Sequence, residues 1–232
     1  MKKFIALLLV LVMGLSLCAC GSNNEQMDTD VTAPDSPLYE TLQEKMGIDF
    51  MKQDVESIYT TEESAAVYLY NCKYIKGNHT FKLGDGTTLQ LPMTYGELCD
   101  AGWALEYGNV SDPYPAGQIN WYCLINSDGK TIDVEIVNRT GDFVDARDAQ
   151  LSQISLGEDC TESFSLNGIK NGATVKEILK KFGTPYGCDY YEWEDGSKSF
   201  SFYYTDEANM IHLTFNMDPD TNRLIGIDYY KS

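Results

Sequence analysis

The order of signals along this chain repeats at an offset of about 80 residues, and that constrains its fold more than any other feature. Thr94-Tyr95-Gly96-Glu97-Leu98 lines up with Thr174-Val175-Lys176-Glu177-Ile178, Ile119–Ile125 with Ser199–Thr205, and Thr131–Val137 with Met210–Asn216. Within each run, apolar and polar residues alternate as they do in half-buried strands. Ile119, Trp121, Cys123 and Ile125 alternate with Asn120, Tyr122 and Leu124, and Ile132, Val134 and Ile136 with Asp133 and Glu135. Phe200, Phe202 and Tyr204, then Ile211, Leu213 and Phe215, mark further apolar faces, and a last strand is expected from Leu224 to Tyr230. Gly84-Asp85-Gly86, Ser127-Asp128-Gly129 and Glu194-Asp195-Gly196 supply tight turns between these segments. Each half therefore reads as an entry strand, a helix opened by a threonine, and an antiparallel meander.

Upstream of the repeat, Ser36-Pro37 followed by Leu38, Leu42 and Met46 predicts a short helix stopped by Gly47. Asp49 is expected to cap a second helix carrying Met51, Val55 and Ile58. Ala65 to Ile75 is ambiguous, because Val-Tyr-Leu-Tyr favours strand while the alanines and the preceding glutamates favour helix. Residues 20–36 are polar, acidic and poor in large apolar groups, which predicts a flexible tether.

The first residues carry an address. Lys2 and Lys3 precede a short apolar run, and Leu17-Cys18-Ala19-Cys20-Gly21 closes it with a small residue before a cysteine. The pattern resembles the bacterial lipobox, which implies removal of residues 1–19, a diacylglyceryl group on Cys20 and an extracytoplasmic, membrane-anchored protein. Two acyl chains suffice for stable attachment. Two of the 17 basic residues leave with that leader and none of the 35 acidic ones, so the net charge goes from −18 to −20. Such a charge excludes nucleic acid as a partner. The remaining cysteines, Cys72, Cys99, Cys123, Cys160 and Cys188, are odd in number and form no CxxC or Cys/His cluster, so each reads as a bridge or as a small buried side chain.

At Gly172-Ala173-Thr174-Val175-Lys176-Glu177-Ile178-Leu179-Lys180-Lys181-Phe182-Gly183-Thr184-Pro185 the chain resembles the helix of SmpA/OmlA and β-lactamase-inhibitor-protein-like (BLIP-like) modules. Thr174 caps, Ile178 and Phe182 point inward, Gly183 ends the helix, and Tyr190-Tyr191-Glu192-Trp193 and Phe200–Tyr204 take the later strand positions. The first half keeps the hydroxyl, the acid and the glycine in Leu91–Trp103 but lacks the final proline. The resemblance covers roughly residues 79–232 and implies an α+β fold of two tandem helix-plus-antiparallel-sheet modules, at 79–157 and 158–232; the short helical segment expected at 37–78 precedes them and lies outside the resemblance. The resemblance also implies a sheet face that takes a protein partner.

Catalytic signatures are not found. His79 and His212 sit in no metal or nucleophile motif, and Asp218-Pro219-Asp220-Thr221-Asn222 departs from a calcium loop at Arg223 and Tyr229, so no cofactor or metal is expected. If Trp121, Phe200 and Phe202 face the helices, then Tyr122, Asp133, Glu135, Tyr203, His212 and Thr214 form the opposite face, an aromatic and acidic platform suited to a protein partner. The expected function is thus a lipid-anchored, non-enzymatic binding protein. The alternatives are an envelope assembly factor, or a wall or glycan hydrolase using acids of that same face.

Overall fold

Pro37 begins helix α1 (Pro37–Met46) with its φ already set. Gly47 ends the helix in the left-handed region, at a φ of 63°, and donates its N–H to the Gln43 and Glu44 carbonyls. Tyr39, Leu42 and Met46 recur at helical spacing and are buried against the sheet below. The structure, a computed structural model, describes residues 36–69, 79–157, 163–206 and 210–231. The helix expected after Asp49 is not there. Asp49 caps only a single 3₁₀ turn, Phe50–Lys52, and the chain continues as a hairpin of β1 (Val55–Thr60) and β2 (Ser64–Leu69). The β-branched and aromatic residues of Val55–Thr60 outweigh one capping carboxylate, and Ala65, Val67 and Leu69 alternate inward as a strand requires. The segment expected to be helical is therefore one helix and two strands, with residues 70–78 outside the described residues.

Two runs of similar order follow. The first comprises β3 (Phe81–Leu83), β4 (Thr88–Leu89), β5 (Met93–Thr94), helix α2 (Tyr95–Asp100), β6 (Ala104–Leu105), β7 (Ile119–Ile125), β8 (Thr131–Val137) and β9 (Gln150–Leu156). The second comprises β10 (Phe164–Leu166), β11 (Ile169–Lys170), helix α3 (Val175–Phe182), β12 (Gly187–Glu192), β13 (Lys198–Asp206), β14 (Ile211–Asp218) and β15 (Arg223–Lys231). Each helix opens with a complete capping box, Thr94 with Glu97 and Thr174 with Glu177, in which hydroxyl and carboxylate reciprocally satisfy backbone N–H groups.

These runs do not make two α+β modules. Among the described residues, fifteen strands, all antiparallel in their pairing, form two sheets, and the three α-helices have only 10, 6 and 8 residues. The large sheet has eleven strands in the order β1-β2-β12-β13-β14-β15-β9-β8-β7-β6, with β5 pairing a further stretch of β9. Its seam is β15 against β9, from Ile227 opposite Leu156 to Tyr230 opposite Gln153. The small sheet, β11-β10-β3-β4, has its own seam where β10 meets β3. Joining the last strand of each meander removes two open edges at once, which separate modules would leave unpaired. Helices this short cannot cover a sheet of that width, so the small sheet completes the second layer. Phe81 meets Tyr229 across the layers at 5.6 Å between ring centroids. Phe182, expected to lie buried at the end of α3, is half-buried yet touches Tyr204 and Phe215, at 5.6 and 5.2 Å, while Ile178 is fully buried.

Candidate functional site: the open face of the large sheet

Among the described residues, the helices and the small sheet lie on one face of the large sheet and leave the other open, and strand alternation sends every second residue to that open face. On that open face, cross-strand pairing sets one row across the strands: Cys123, Asp133, Ser155, Asp228, Thr214 and Tyr203. A neighbouring row runs Trp121, Glu135, Gln153, Tyr230 and His212. Ile119 is 56% exposed there and Trp121 52%. Two residues apart on β7, they place large apolar side chains side by side in solvent on the same face.

The acids of this face are held in place. Ser155 donates its hydroxyl to Asp228, and Asn216 Nδ2 donates to the other Asp228 oxygen at 2.8 Å. A bulge in the β8–β9 register next to Glu135 seats Ser152, whose hydroxyl donates to the Glu135 carboxylate. Burial, with Glu106 and Asp133 as neighbouring acids, pushes the Cys123 thiol up to about 12, so it stays a protonated thiol and not a nucleophile. Burial, then the Tyr68 hydroxyl, raises Tyr203 well above the ordinary phenol range. Its ring packs with Tyr68 and Tyr186 at centroid distances of 6.0 and 6.1 Å and lies over Gly187, where a Cβ would come within 2.6 Å of it.

Compared with protein-family models, curated proteins and solved structures, this chain matches none. Among the described residues no three His, Cys, Asp or Glu side chains are grouped to hold a metal ion. Cys99, Cys123 and Cys188 are free thiols, whereas Cys20, Cys72 and Cys160 lie outside the described residues.

Of the residues expected on the platform, Asp133, Glu135, Tyr203, His212 and Thr214 share the open face. Tyr122 does not. It pairs with fully buried Val134 and turns its ring to the core side, where Asn120 Nδ2 bridges the Tyr114 and Tyr122 hydroxyls at 3.1 and 3.4 Å. Trp121, expected inward, stands in its place opposite Glu135. Alternation fixes which residues share a face but not which face is covered, and a tyrosine can bury its ring while its hydroxyl keeps a partner. Counting outward from the Ser127-Asp128-Gly129 turn places Trp121 opposite Glu135 and Tyr122 opposite Val134, so the strong core pattern of β8 was the signal that assigns them.

Proposed function

We propose that this protein is a lipid-anchored, extracytoplasmic and non-enzymatic binding protein that takes a protein partner on the open face of its large sheet. The observation that carries this reading is the exposed Trp121 and Ile119 on a face whose acids Glu135, opposite Trp121, and Asp228, farther along the sheet, are already fixed by hydrogen bonds. Large rings set in a polar surround, on a rigid scaffold, are the usual anchors of a protein interface. Asp228 and Glu135 each accept from a neighbouring serine, which suits fixed recognition better than proton shuttling to a substrate. The leader pattern ending in Cys20 supports the address.

Two experiments test this. A photo-crosslinking residue in place of Trp121 in cells should trap one stoichiometric protein, and one in place of Lys180 on α3 should not. Equal capture from both positions, or none from Trp121, would move the partner off this face. Separately, mass spectrometry of the N-terminus should find diacylated Cys20, and Cys20→Ala should lose the acyl group; an unmodified terminus at another residue in the natural protein would remove the anchor.

A further inference from the structure

At the corner of the open face farthest along the strand order from Trp121, the β1–β2 turn and the β12–β13 turn lie side by side. Glu192 donates its backbone N–H to the Glu63 carbonyl at 2.9 Å, and the Tyr191 hydroxyl donates to Glu63 Oε2 at 2.7 Å. Tyr191 and Trp193, alternate residues on one face of β12 and its turn, bring their rings within 4.5 Å at a tilt of 56°. A pair so tilted forms a re-entrant angle instead of a flat stack. With Glu63, Glu194 and Asp195 these two rings line a shallow groove of about 370 Å³. Trp193 is 44% exposed, and Tyr59, 52% exposed, lies close enough to Tyr191 to bear on its hydroxyl.

Among the described residues, the groove is lined by aromatic faces and carboxylates with no basic side chain. Lys198, the nearest lysine in the hairpin, pairs with Glu192 on the opposite, core side of the sheet. Asp195 is held ionised, since the Ser197 N–H and hydroxyl both donate to its Oδ1, at 2.9 and 2.5 Å, and keep its carboxyl below the usual range. Ring faces carry negative potential, and three carboxylates beside them select for positive charge. We propose that this corner holds a lysine side chain presented by a basic segment of the protein partner, its ammonium against Tyr191 and Trp193 and among Glu63, Glu194 and Asp195. This rests on the open face being a protein-binding surface, and it names the partner's chemistry at one end of it. A chain of net charge −18 favours such a partner from a distance as well, through steering.

The test uses the full chain in detergent with Trp121→Phe, so that emission comes from Trp193 and the buried Trp103. It is titrated at constant ionic strength with n-butylammonium chloride and, separately, with 1-butanol. The cation should change the emission saturably and bind at least about fivefold more tightly than the alcohol. Glu63→Gln, which keeps the shape and an acceptor for Tyr191, should weaken that response, and Tyr191→Leu should abolish it. Equal responses to cation and alcohol, or an unchanged response in Tyr191→Leu, would overturn the cation corner while leaving cross-linking through Trp121 as an independent measure of the protein-binding face. A strong butylammonium response in a protein that captures no partner would overturn the peptide source of the lysine.

Discussion

Tyr203 and Gly187 show how one residue pair couples the surface to the fold. The ring lies over the glycine, between Tyr68 and Tyr186, so a methyl group at 187 must displace a packed side chain. Gly187→Ala is expected to cost roughly 1–3 kcal/mol, and the penalty should shrink in a Tyr203→Leu background because the clash is then gone. Urea denaturation midpoints of the four variants measure this coupling, and strict additivity would refute it. His79 makes the corresponding point for charge. Burial holds its pKa below the ordinary 6.5, with Asp206 opposing that shift and Lys231 adding to it. Asn167 donates to its Nδ1 at 2.9 Å, and its ring contacts Phe182 and Tyr229. A base with a depressed folded pKa binds fewer protons in the native state, so the stability present above pH about 6.5 is lost as pH falls through the folded value. His79→Gln should flatten the fall in denaturation midpoint between pH about 7 and about 5; a profile as steep as that of the unmodified protein would assign the loss to carboxylates instead.

At the scale of elements, the helix ends are unequal. Thr174 and Thr94 each close a full capping box, whereas Ser36, at the matching position of α1, makes no side-chain bond. Thr174→Ala should therefore lower stability by about 1 kcal/mol, and Ser36→Ala by less than about 0.5 kcal/mol. Equal effects, read from thermal or urea unfolding, would show that the caps do not act as their geometry implies. The strand seam is tighter. A Cβ at Gly226 would stand 2.9 Å from the Leu156 carbonyl and 3.0 Å from Gly157 Cα, both backbone atoms of the adjoining meander. Gly226→Ala should then cost roughly 1–3 kcal/mol, because backbone yields less readily than a side-chain tip. An unchanged midpoint would mean that β15 and β9 do not approach as closely as described. Together these positions explain why the helices punctuate the chain while strand pairing joins its halves.

For the whole molecule, net charge and architecture pull in different directions. A chain at −18 repels itself when compact, and among the described residues the salt bridges are Lys52 with Asp49 and Arg147 with Asp100, both near the surface. Moderate sodium chloride should accordingly raise the melting temperature by screening repulsion, while a fall would mean that ion pairs outweigh it. How much of this is legible in the amino-acid sequence follows from the range of the forces. Caps at Thr94 and Thr174, the stop at Gly47, the turns at Gly86, Gly129 and Gly196, and the alternation of β7, β8, β13 and β14 depend on neighbours a few residues away, and the amino-acid order alone determined them. The expected helix after Asp49 gave way to β1 because pairing with β2 extends the large sheet, a gain from neighbours that no local window contains. The same holds for the joining of two meanders through β15 and β9, the second sheet formed by β10 and β3, and the exchange of Trp121 with Tyr122 between faces. It holds again for Glu63 meeting Tyr191 across 128 residues. Period-2 patterning defines two faces, but only the tertiary structure decides which one is buried, because burial depends on the layer that arrives from elsewhere in the chain.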